Sequence, residues 1–216
     1  VGKLNLKERR KVMWTGNPQN INYNFGFSQG SYQPRSPIAL VRRNSGEGFL
    51  FSRIWAMPSI WTFKIEPIKK LLKKYKVGEG WVDPFAGKYS PASITNDIEG
   101  RGAKYQGDAL EFLRALDDDF CNGVLFDPPY SVEQCLRRYT PKHGGTAGRA
   151  EYWGKCKDEI ARIIKPGGIC ISFCWDSVGI GRKRGFEIIE IMLICHGACH
   201  NDTIVTVDTL QQGGLF

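Results

Sequence analysis

The chain lacks any apolar run long enough to cross a membrane, and it lacks a regular pattern of cysteines. No run among its 216 residues approaches the roughly 20 apolar residues that a membrane-spanning helix requires, and the amino-terminal residues lack the apolar core of a secretory signal. The seven cysteines are odd in number and irregularly spaced, which is typical of reduced intracellular thiols rather than of a disulfide framework. We therefore expect a cytoplasmic protein without a membrane partner.

Basic residues outnumber acidic residues, and the excess is concentrated in clusters. There are 30 lysines and arginines against 22 aspartates and glutamates, giving a net charge of +8. Basic clusters lie at Lys7–Lys11, Lys69–Lys76, Arg137–Lys142 and Arg182–Arg184. A solvated surface explains any one of them, but together they favour a polyanionic partner, of which nucleic acid is the commonest.

The length suits one domain, or one domain with an appendage. Residues 1–57 include the polar stretch NPQNINYNFGFSQGSYQPRSP, which has neither helical nor strand periodicity. We predict that this part is an arm, partly disordered or packed on the core. Residues 58–216 carry the periodic segments and form the predicted core domain.

The core is predicted to be an α/β sheet in which four strands end in an aspartate. An amphipathic helix, with apolar residues at helical spacing from Ile65 to Tyr75 and a stop at Gly78, precedes the first strand. The strands GWVD, ASITND, AKYQGD and GVLFD end in Asp83, Asp97, Asp108 and Asp127. Open α/β sheets bind ligands at the carboxyl edge of their strands, so we expect a site there.

The carboxyl-terminal half supplies the rest of the sheet. A helix is predicted through YWGKCKDEIARIIKPGG, with Gly167 and Gly168 past its end. The strand ICISFCWD follows, and FEIIEIMLIC and DTIVTVD form a predicted antiparallel closing pair. The sheet is therefore expected to be mixed rather than wholly parallel.

Two connections in the predicted sheet are too short to hold a helix. The first and second strands are joined by little more than AGKYSP, and the next pair by IEGRG, whereas a parallel crossover usually takes a dozen or more residues. Two crossover helices are missing, which leaves part of one sheet face to be covered. The apolar residues of the arm, or a second subunit in a homodimer, are the predicted cover. These arm residues are Phe25, Phe27, Phe49, Leu50, Phe51, Ile54 and Trp55.

The strand GVLF ends in Asp127, two prolines and Tyr130. Neither proline can donate to a sheet ladder and each restricts the backbone, so the chain forms a stiff, extended corner after the strand. Such a corner holds a carboxylate, a carbonyl and a ring at defined positions, which favours a functional site. The alternative is a strand-ending turn in which the aspartate only caps the chain.

Several of these segments together resemble a known family. The series TFKIEPI, DPFAG, TNDIE, GDALEFL, FDPPY and KPGG is similar to the S-adenosylmethionine-dependent DNA adenine methyltransferases, especially small phage-borne ones, as are GFEIIEI and HNDTI. The resemblance covers about residues 60–209 and leaves out the arm. It implies a Rossmann-like class I methyltransferase sheet with shortened crossovers in the cofactor half and a C-terminal antiparallel hairpin. If the chain is phage-encoded, its compartment is the host cytoplasm.

The resemblance implies catalytic roles for the residues of the corner. The exocyclic amino nitrogen of adenine is a poor nucleophile, so acceptors must draw on its hydrogens as a methyl group arrives. Asp127 and the Pro128 carbonyl are the implied acceptors, and Tyr130 stacks on the base. The implied catalytic residues are Asp127, Pro128, Pro129 and Tyr130.

The resemblance also implies a binding site for S-adenosylmethionine. Gly87 allows close approach of the amino-acid moiety, Asp97 accepts from the ribose hydroxyls, and Asp108 meets the adenine. The segment WTFKIEPI contacts the methionine end through Thr62, Phe63 and Lys64. The implied cofactor residues are Thr62, Phe63, Asp83, Phe85, Ala86, Gly87, Asn96, Asp97, Ile98, Asp108 and Ala109.

These cofactor roles have structural alternatives. Asp108 precedes ALEFL and is equally explained as a helix cap, and Trp61 and Phe63 as a hydrophobic staple. The turn after the first strand departs from the family pattern, because Lys88, Tyr89 and Ser90 stand where a second glycine is expected.

Nucleic-acid contacts are predicted in the loop SVEQCLRRYTPKHGGTAGRAEY and in the arm. Phosphates are expected at Arg137, Arg138, Lys142 and Arg149, while the loop glycines allow ordering on binding. A base inside a duplex cannot reach the sheet edge, so it must be flipped out or already unpaired. The segment CHGACHN is not predicted to bind a metal, because a closed zinc site usually takes ligand pairs from separate segments.

Other functions stay open at this point. The same fold is expected to methylate RNA or protein glutamine in relatives that more often carry Asn in place of Asp127, and the amino group of cytosine in relatives that carry Ser. A methyltransferase-like nucleic-acid-binding protein without catalysis is a further alternative, and the altered turn after Gly87 favours it.

Overall fold

A computed structural model describes residues 38–42, 48–129, 150–197 and 200–211, all of which belong to one compact unit. The strands are β1 (Ile38–Arg42), β2 (Gly48–Trp55), β3 (Trp81–Asp83), β4 (Ile94–Asp97), β5 (Tyr105–Gln106), β6 (Cys121–Phe126), β7 (Ile164–Cys174), β8 (Phe186–Cys195) and β9 (Thr203–Leu210). The helices are α1 (Glu66–Lys74), α2 (Ala109–Arg114) and α3 (Ala150–Ile163), with 3₁₀ turns at Thr62–Lys64 and Arg182–Arg184. None of the described helices is long and apolar enough to span a membrane.

The strands form one sheet in the order β1-β2-β8-β9-β7-β6-β3-β4-β5. The run from β7 through β6, β3 and β4 to β5 is parallel, while β9 lies antiparallel between β7 and β8. The predicted Rossmann-like mixed sheet with its C-terminal antiparallel hairpin is therefore confirmed. The strand order reverses between β3 and β6, and such a switch point is where open α/β sheets bind ligands.

Helix α1 covers one face of the sheet. Its apolar residues recur at helical spacing and bury Pro67, Ile68, Leu71 and Leu72 against the central strands. A buried carboxylate on β8 holds the end of the helix, because Glu190 accepts hydrogen bonds from Lys74 Nζ at 2.5 Å and from the Tyr75 hydroxyl at 2.6 Å. The helix ends at Lys74, four residues before Gly78, the predicted stop.

Helices α2 and α3 cover the other face. Their buried residues pack with β6 in a second apolar cluster, in which Leu113, Val124 and Ile160 are fully buried. The glycines predicted to follow α3 lie within β7, which begins directly after the helix at Ile164. A Cβ on Gly168 would stand 2.8 Å from the Lys165 carbonyl and 2.9 Å from the Asn122 carbonyl. The predicted helix end is thus wrong by a few residues, because these glycines allow an irregular close pairing with β6 rather than a helix stop.

The predicted absence of two crossover helices is confirmed, because the described residues 84–93 and 98–104 contain turns and no helix. The segment predicted to cover the cofactor half lies elsewhere. Residues 48–55 form β2, which pairs in parallel with β8 at the edge of the sheet far from β3–β5. Backbone pairing with β8 satisfies the strand's polar groups, and this interaction places the segment at that edge. Phe25 and Phe27, the other predicted cover, lie outside the described residues.

Candidate functional site

A cavity of about 280 Å³ opens at the carboxyl edge of the sheet, beside the switch point. Its walls come from segments that are distant in sequence. They are the stretch 58–63 before α1, the turn 85–87 after β3, the corner 127–129 after β6, and the turn between β8 and β9. The sheet brings these segments together because all of them follow or precede strands that end at the same edge.

The corner after β6 forms one wall of the cavity. Pro128 and Pro129 are buried, and Asp127 is partly exposed to the cavity. Two successive prolines limit the backbone here to extended conformations, so the Asp127 carboxyl and the Pro128 carbonyl are held at a defined edge position. Tyr130 lies outside the described residues, and its stacking role stays a prediction.

Asp83 is fully buried beneath the turn that follows β3. The Phe85 backbone N–H donates to its Oδ1 at 3.0 Å, and the Ser90 hydroxyl donates to its Oδ2 at 2.6 Å. Burial raises the pKa of Asp83 to about 7; the negative charges of Asp127 and Asp97 add to the rise, and the two hydrogen bonds oppose it. Asp83 therefore organises the turn from below and does not line the cavity.

Ser90 stands in the part of the turn where the family pattern expects glycine. Its hydroxyl bonds Asp83 and also accepts from the Ala92 backbone N–H at 3.3 Å. Where the family pattern has a glycine, this chain therefore has a side chain whose two hydrogen bonds hold the turn in place. Gly87 keeps the left-handed conformation, with φ of +53°, which disfavours residues that carry a Cβ.

Asn96 lies near the end of β4 and joins two loops, the turn after β3 and the connection after β5. Its side-chain amide donates to the Pro84 carbonyl at 3.2 Å and to the Gly107 carbonyl at 3.0 Å. The Asn96 carbonyl accepts from the Ala86 backbone N–H at 2.9 Å. Asn96 therefore supports the cavity-lining turn from behind, and it is almost fully buried.

Asp97 and Asp108 lie at neighbouring strand ends but do not line the cavity. Asp97 is buried, and its Oδ1 accepts from the Glu99 backbone N–H at 2.8 Å. Asp108 caps α2 by accepting from the Leu110 backbone N–H at 2.9 Å, and the Tyr152 hydroxyl donates to its other oxygen at 2.8 Å. In the structure Asp108 is therefore a helix cap, which was the alternative to a cofactor contact.

The neighbours Ile98 and Ala109 follow the two acids. Ala109 is buried as the first residue of α2, and Ile98 is partly exposed in the turn after β4. Cofactor roles for these residues and for Asp97 and Asp108 stay predictions.

The segment before α1 divides between the cavity and the core. Thr62 lines the cavity. Phe63 lines it too but is largely buried, and its ring packs edge-on against Phe173 with centroids 5.6 Å apart. Lys64 is exposed and does not line the cavity. Its ammonium instead lies 3.6 Å from the centroid of the Tyr89 ring.

Sequence reasoning missed the wall contributed by the β8–β9 turn. The ring of His196 lies with Nδ1 2.9 Å from the Ala56 carbonyl, to which it donates, and with Nε2 3.0 Å from the Thr203 hydroxyl. It joins the end of β2 to the start of β9, while His200 and Asn201 line the cavity beside it. The resemblance of HNDTI to the family was the available signal. The described residues contain no group of three metal-binding side chains, and Cys199 lies outside them.

The four predicted phosphate-binding residues also lie outside the described part of the chain. They are Arg137, Arg138, Lys142 and Arg149. Nucleic-acid binding through this loop stays a prediction.

No protein-family model matches the chain. A curated relative, the Type II methyltransferase M.BamHI of Bacillus amyloliquefaciens, is 28% identical over 67 residues, which cover 31% of this chain and 16% of that protein. The match thus spans a small part of the relative's length, and it links the chain only weakly to the DNA methyltransferases.

Solved structures with a similar fold include several methyltransferases. The 1,6-didemethyltoxoflavin-N1-methyltransferase of Burkholderia thailandensis, solved with S-adenosylhomocysteine, has a TM-score of 0.46 at 10% identity and covers 67% of this chain and 76% of its own. TrmN of Thermus thermophilus scores 0.44 at 15% identity, covering 68% and 49%. A DNA modification methylase of Thermus thermophilus scores 0.34 at 16% identity, covering 49% and 51%. Scores below 0.5 do not bear on the substrate of this chain.

Proposed function

We propose that the chain transfers a methyl group from S-adenosylmethionine to the exocyclic amino group of adenine in DNA. The observation that carries this proposal is the Asp127–Pro128–Pro129 corner, which lies in the wall of a cavity at the sheet's switch point. The chemistry needs a carboxylate and a carbonyl held rigidly beside a pocket for a base, and this corner supplies both.

The residues around the cavity fit the methyl-donor end of the cofactor. When bound, S-adenosylmethionine supplies an electrophilic methyl group on a positively charged sulfur. Gly87, in its left-handed conformation, removes the Cβ from the turn that borders the cavity, so a ligand can approach the backbone closely. Thr62 lines the same cavity, and its hydroxyl offers a hydrogen-bond partner for the amino-acid end of the cofactor.

The corner would orient the acceptor base. The Asp127 carboxylate and the Pro128 carbonyl are hydrogen-bond acceptors, so together they can hold the two hydrogens of an amino group and direct its nitrogen into the cavity. As the nitrogen gains a bond to carbon it becomes more acidic, and Asp127 is placed to accept the released proton. The buried prolines keep this arrangement rigid, which limits the reorganisation needed during transfer.

A second candidate function is nucleic-acid binding without catalysis, and a specific observation favours it. Asp97 and Asp108, the implied partners of the adenosine moiety, do not line the cavity, and Asp108 already caps a helix. A chain that kept the fold but lost the cofactor would show such a site. Methylation of RNA, of protein glutamine or of cytosine would be detected by the methyl-transfer assay described next.

The test is methyl transfer from labelled cofactor to matched substrates. Duplex and single-stranded DNA with and without adenine, RNA, and a glutamine-containing peptide are compared under one condition. We expect label only on adenine-containing DNA. Label on RNA or on the peptide would move the substrate to that class, and label on adenine-free DNA would indicate cytosine.

A matched pair of variants tests the role of the corner. Asp127→Ala should bind the cofactor as well as the wild type and transfer methyl groups about 10²–10⁴-fold more slowly. Asp117→Ala is the control, because Asp117 is an exposed carboxylate near the opposite edge of the sheet. Equal loss of cofactor binding and transfer in Asp127→Ala would make Asp127 structural. Calorimetry showing no cofactor binding by the wild type would support the binding-protein candidate.

A further inference from the structure

The turn that replaces the first crossover helix carries a basic and aromatic surface. We name it the outer rim; it consists of Trp61, Lys64, Lys88, Tyr89 and Arg101. Only ten residues, 84–93, join β3 to β4, so no helix covers this turn. Lys88 and Tyr89 are exposed as a result.

Tyr89 stands at the centre of the outer rim. The Trp61 and Tyr89 rings form a T-shaped pair with centroids 5.1 Å apart. The ammonium groups of Lys64 and Lys88 lie 3.6 Å and 5.5 Å from its ring centroid. Even with these contacts, 37% of Tyr89 is exposed. Trp61 thus braces the ring in place while leaving it accessible.

The charge of the outer rim is positive. The hydrogen bond and the charge of Lys64, with a further contribution from the charge of Lys88, lower the pKa of the Tyr89 hydroxyl. Arg101 is paired with Glu99, but neither Lys64 nor Lys88 takes part in an ion pair within the described ranges. Two lysines beside an exposed aromatic ring therefore remain available for anions.

The outer rim is continuous with the candidate active site. Trp61, Tyr89 and Arg101 line the main cavity, and Trp61, Arg101 and Lys88 line a shallower one of about 550 Å³ beside it. Lys64 faces a third cleft next to α1. A chain-like ligand whose reacting group enters the main cavity would therefore lie across the outer rim.

We propose that the outer rim binds an unpaired stretch of nucleic acid next to the base in the cavity, with phosphates at Lys64 and Lys88 and a base against Tyr89. Aromatic rings interleaved with cations are the surface that single-stranded nucleic acid prefers, since every base has a stacking face and every linkage carries a charge. The inference rests on the proposed function for its choice of polyanion. It differs from the predicted phosphate contacts of the 131–149 loop, because it uses the turn left open by the missing helix.

The test uses a probe that cannot be methylated on adenine. A fluorescent oligothymidylate of about 20 nucleotides is titrated with the full chain, without cofactor, and anisotropy is followed from about 50 to 300 mM salt. Lys64→Gln combined with Lys88→Gln should weaken binding about tenfold and reduce the slope of log affinity against log salt by about 1.4, the value for two lost phosphate contacts on a single strand. Tyr89→Ser should weaken binding severalfold, while Tyr89→Phe, which keeps the ring, should bind like the wild type.

The control removes the same charge from the opposite edge of the sheet. Lys104 and Lys165 are exposed near the amino ends of β5 and β7 and lie outside the basic clusters, and Lys104→Gln combined with Lys165→Gln should leave affinity and slope nearly unchanged. Equal weakening by both double variants would overturn the inference, because it would show a response to net charge alone. An unchanged slope in the outer-rim variant, or no binding by the wild type, would also overturn it.

Two further measurements separate this inference from the proposed function. If the outer-rim variant lost affinity for S-adenosylhomocysteine by calorimetry while its oligothymidylate binding stayed unchanged, the surface would belong to the cofactor and the inference would be wrong. If the wild type methylated nothing but the outer-rim variant still lost oligothymidylate binding, the inference would stand and the proposed function would fail. Matching thermal unfolding of all variants confirms that the chain is folded in each case.

Discussion

Replacing Asp83 with asparagine should change how the stability of the protein depends on pH. In the folded chain the carboxyl is fully buried, and its pKa rises from 3.8 to about 7. The folded state therefore binds this proton more tightly than the unfolded state does. Below about pH 4 the carboxyl is protonated in both states, and its burial then costs the folded state least. As the pH rises through about 7, the unfolded state has already released the proton, and the folded state loses this relative stability.

The size of the effect follows from the two pKa values. A tenfold change in proton affinity corresponds to about 1.4 kcal/mol, so a rise from 3.8 to about 7 corresponds to about 4 kcal/mol of unfolding free energy above pH 7. Asparagine has nearly the same shape, carries no charge, and offers an acceptor for the Phe85 N–H and a donor for the Ser90 hydroxyl. Asp83→Asn should therefore match the wild type near pH 4 and exceed its stability by up to about 4 kcal/mol near pH 8.

The assay is urea unfolding of both proteins at several pH values between about 4 and 8. Taking the difference between variant and wild type at each pH removes the contribution of the titrating groups that do not interact with Asp83. Asp117→Asn, at an exposed position, should show no such trend. A difference that did not change with pH, or an Asp83→Asn variant that was less stable than the wild type near pH 8, would refute the burial argument.

Two further predictions concern residues that hold the connections between the strands. Asn96→Ala removes two side-chain hydrogen bonds, one to the buried Pro84 carbonyl and one to the partly buried Gly107 carbonyl, and should lower the unfolding free energy by about 2–4 kcal/mol in urea unfolding. A change below about 0.5 kcal/mol, in contrast, would show that Asn96 does not hold the loops. Gly179→Ala would place a Cβ 2.3 Å from an Asp208 oxygen at φ of +62°, whereas Gly102→Ala has no atom within 4 Å at φ of +88°. The first variant should lower the melting temperature clearly more than the second, which carries only the backbone penalty of about 1–2 kcal/mol. Equal shifts would rule out the contact with Asp208.

Most of the sheet could be predicted from local patterns. Apolar runs that end in Asp83, Asp97 and Asp127 mark β3, β4 and β6, because a buried strand needs continuous apolar side chains and a polar residue at its end. The spacing of Ile68, Leu71 and Leu72 marks α1 for the same kind of reason, since a helix repeats about every 3.6 residues. The absence of two crossover helices followed from loop length alone.

The sequence by itself thus determined the strands from β3 onwards and the position of the rigid corner at Asp127, because these depend on neighbouring residues in the chain. It did not determine β1 and β2, which lie in the predicted arm. Only the tertiary structure decided what each acid contacts: Asp83 binds Ser90, and Asp108 caps α2 while also binding Tyr152. It also placed β2 beside β8 and brought His196 to the cavity wall. These partners are separated by up to about 140 residues, and a contact between distant side chains depends on the packing of the whole sheet, which no local pattern encodes.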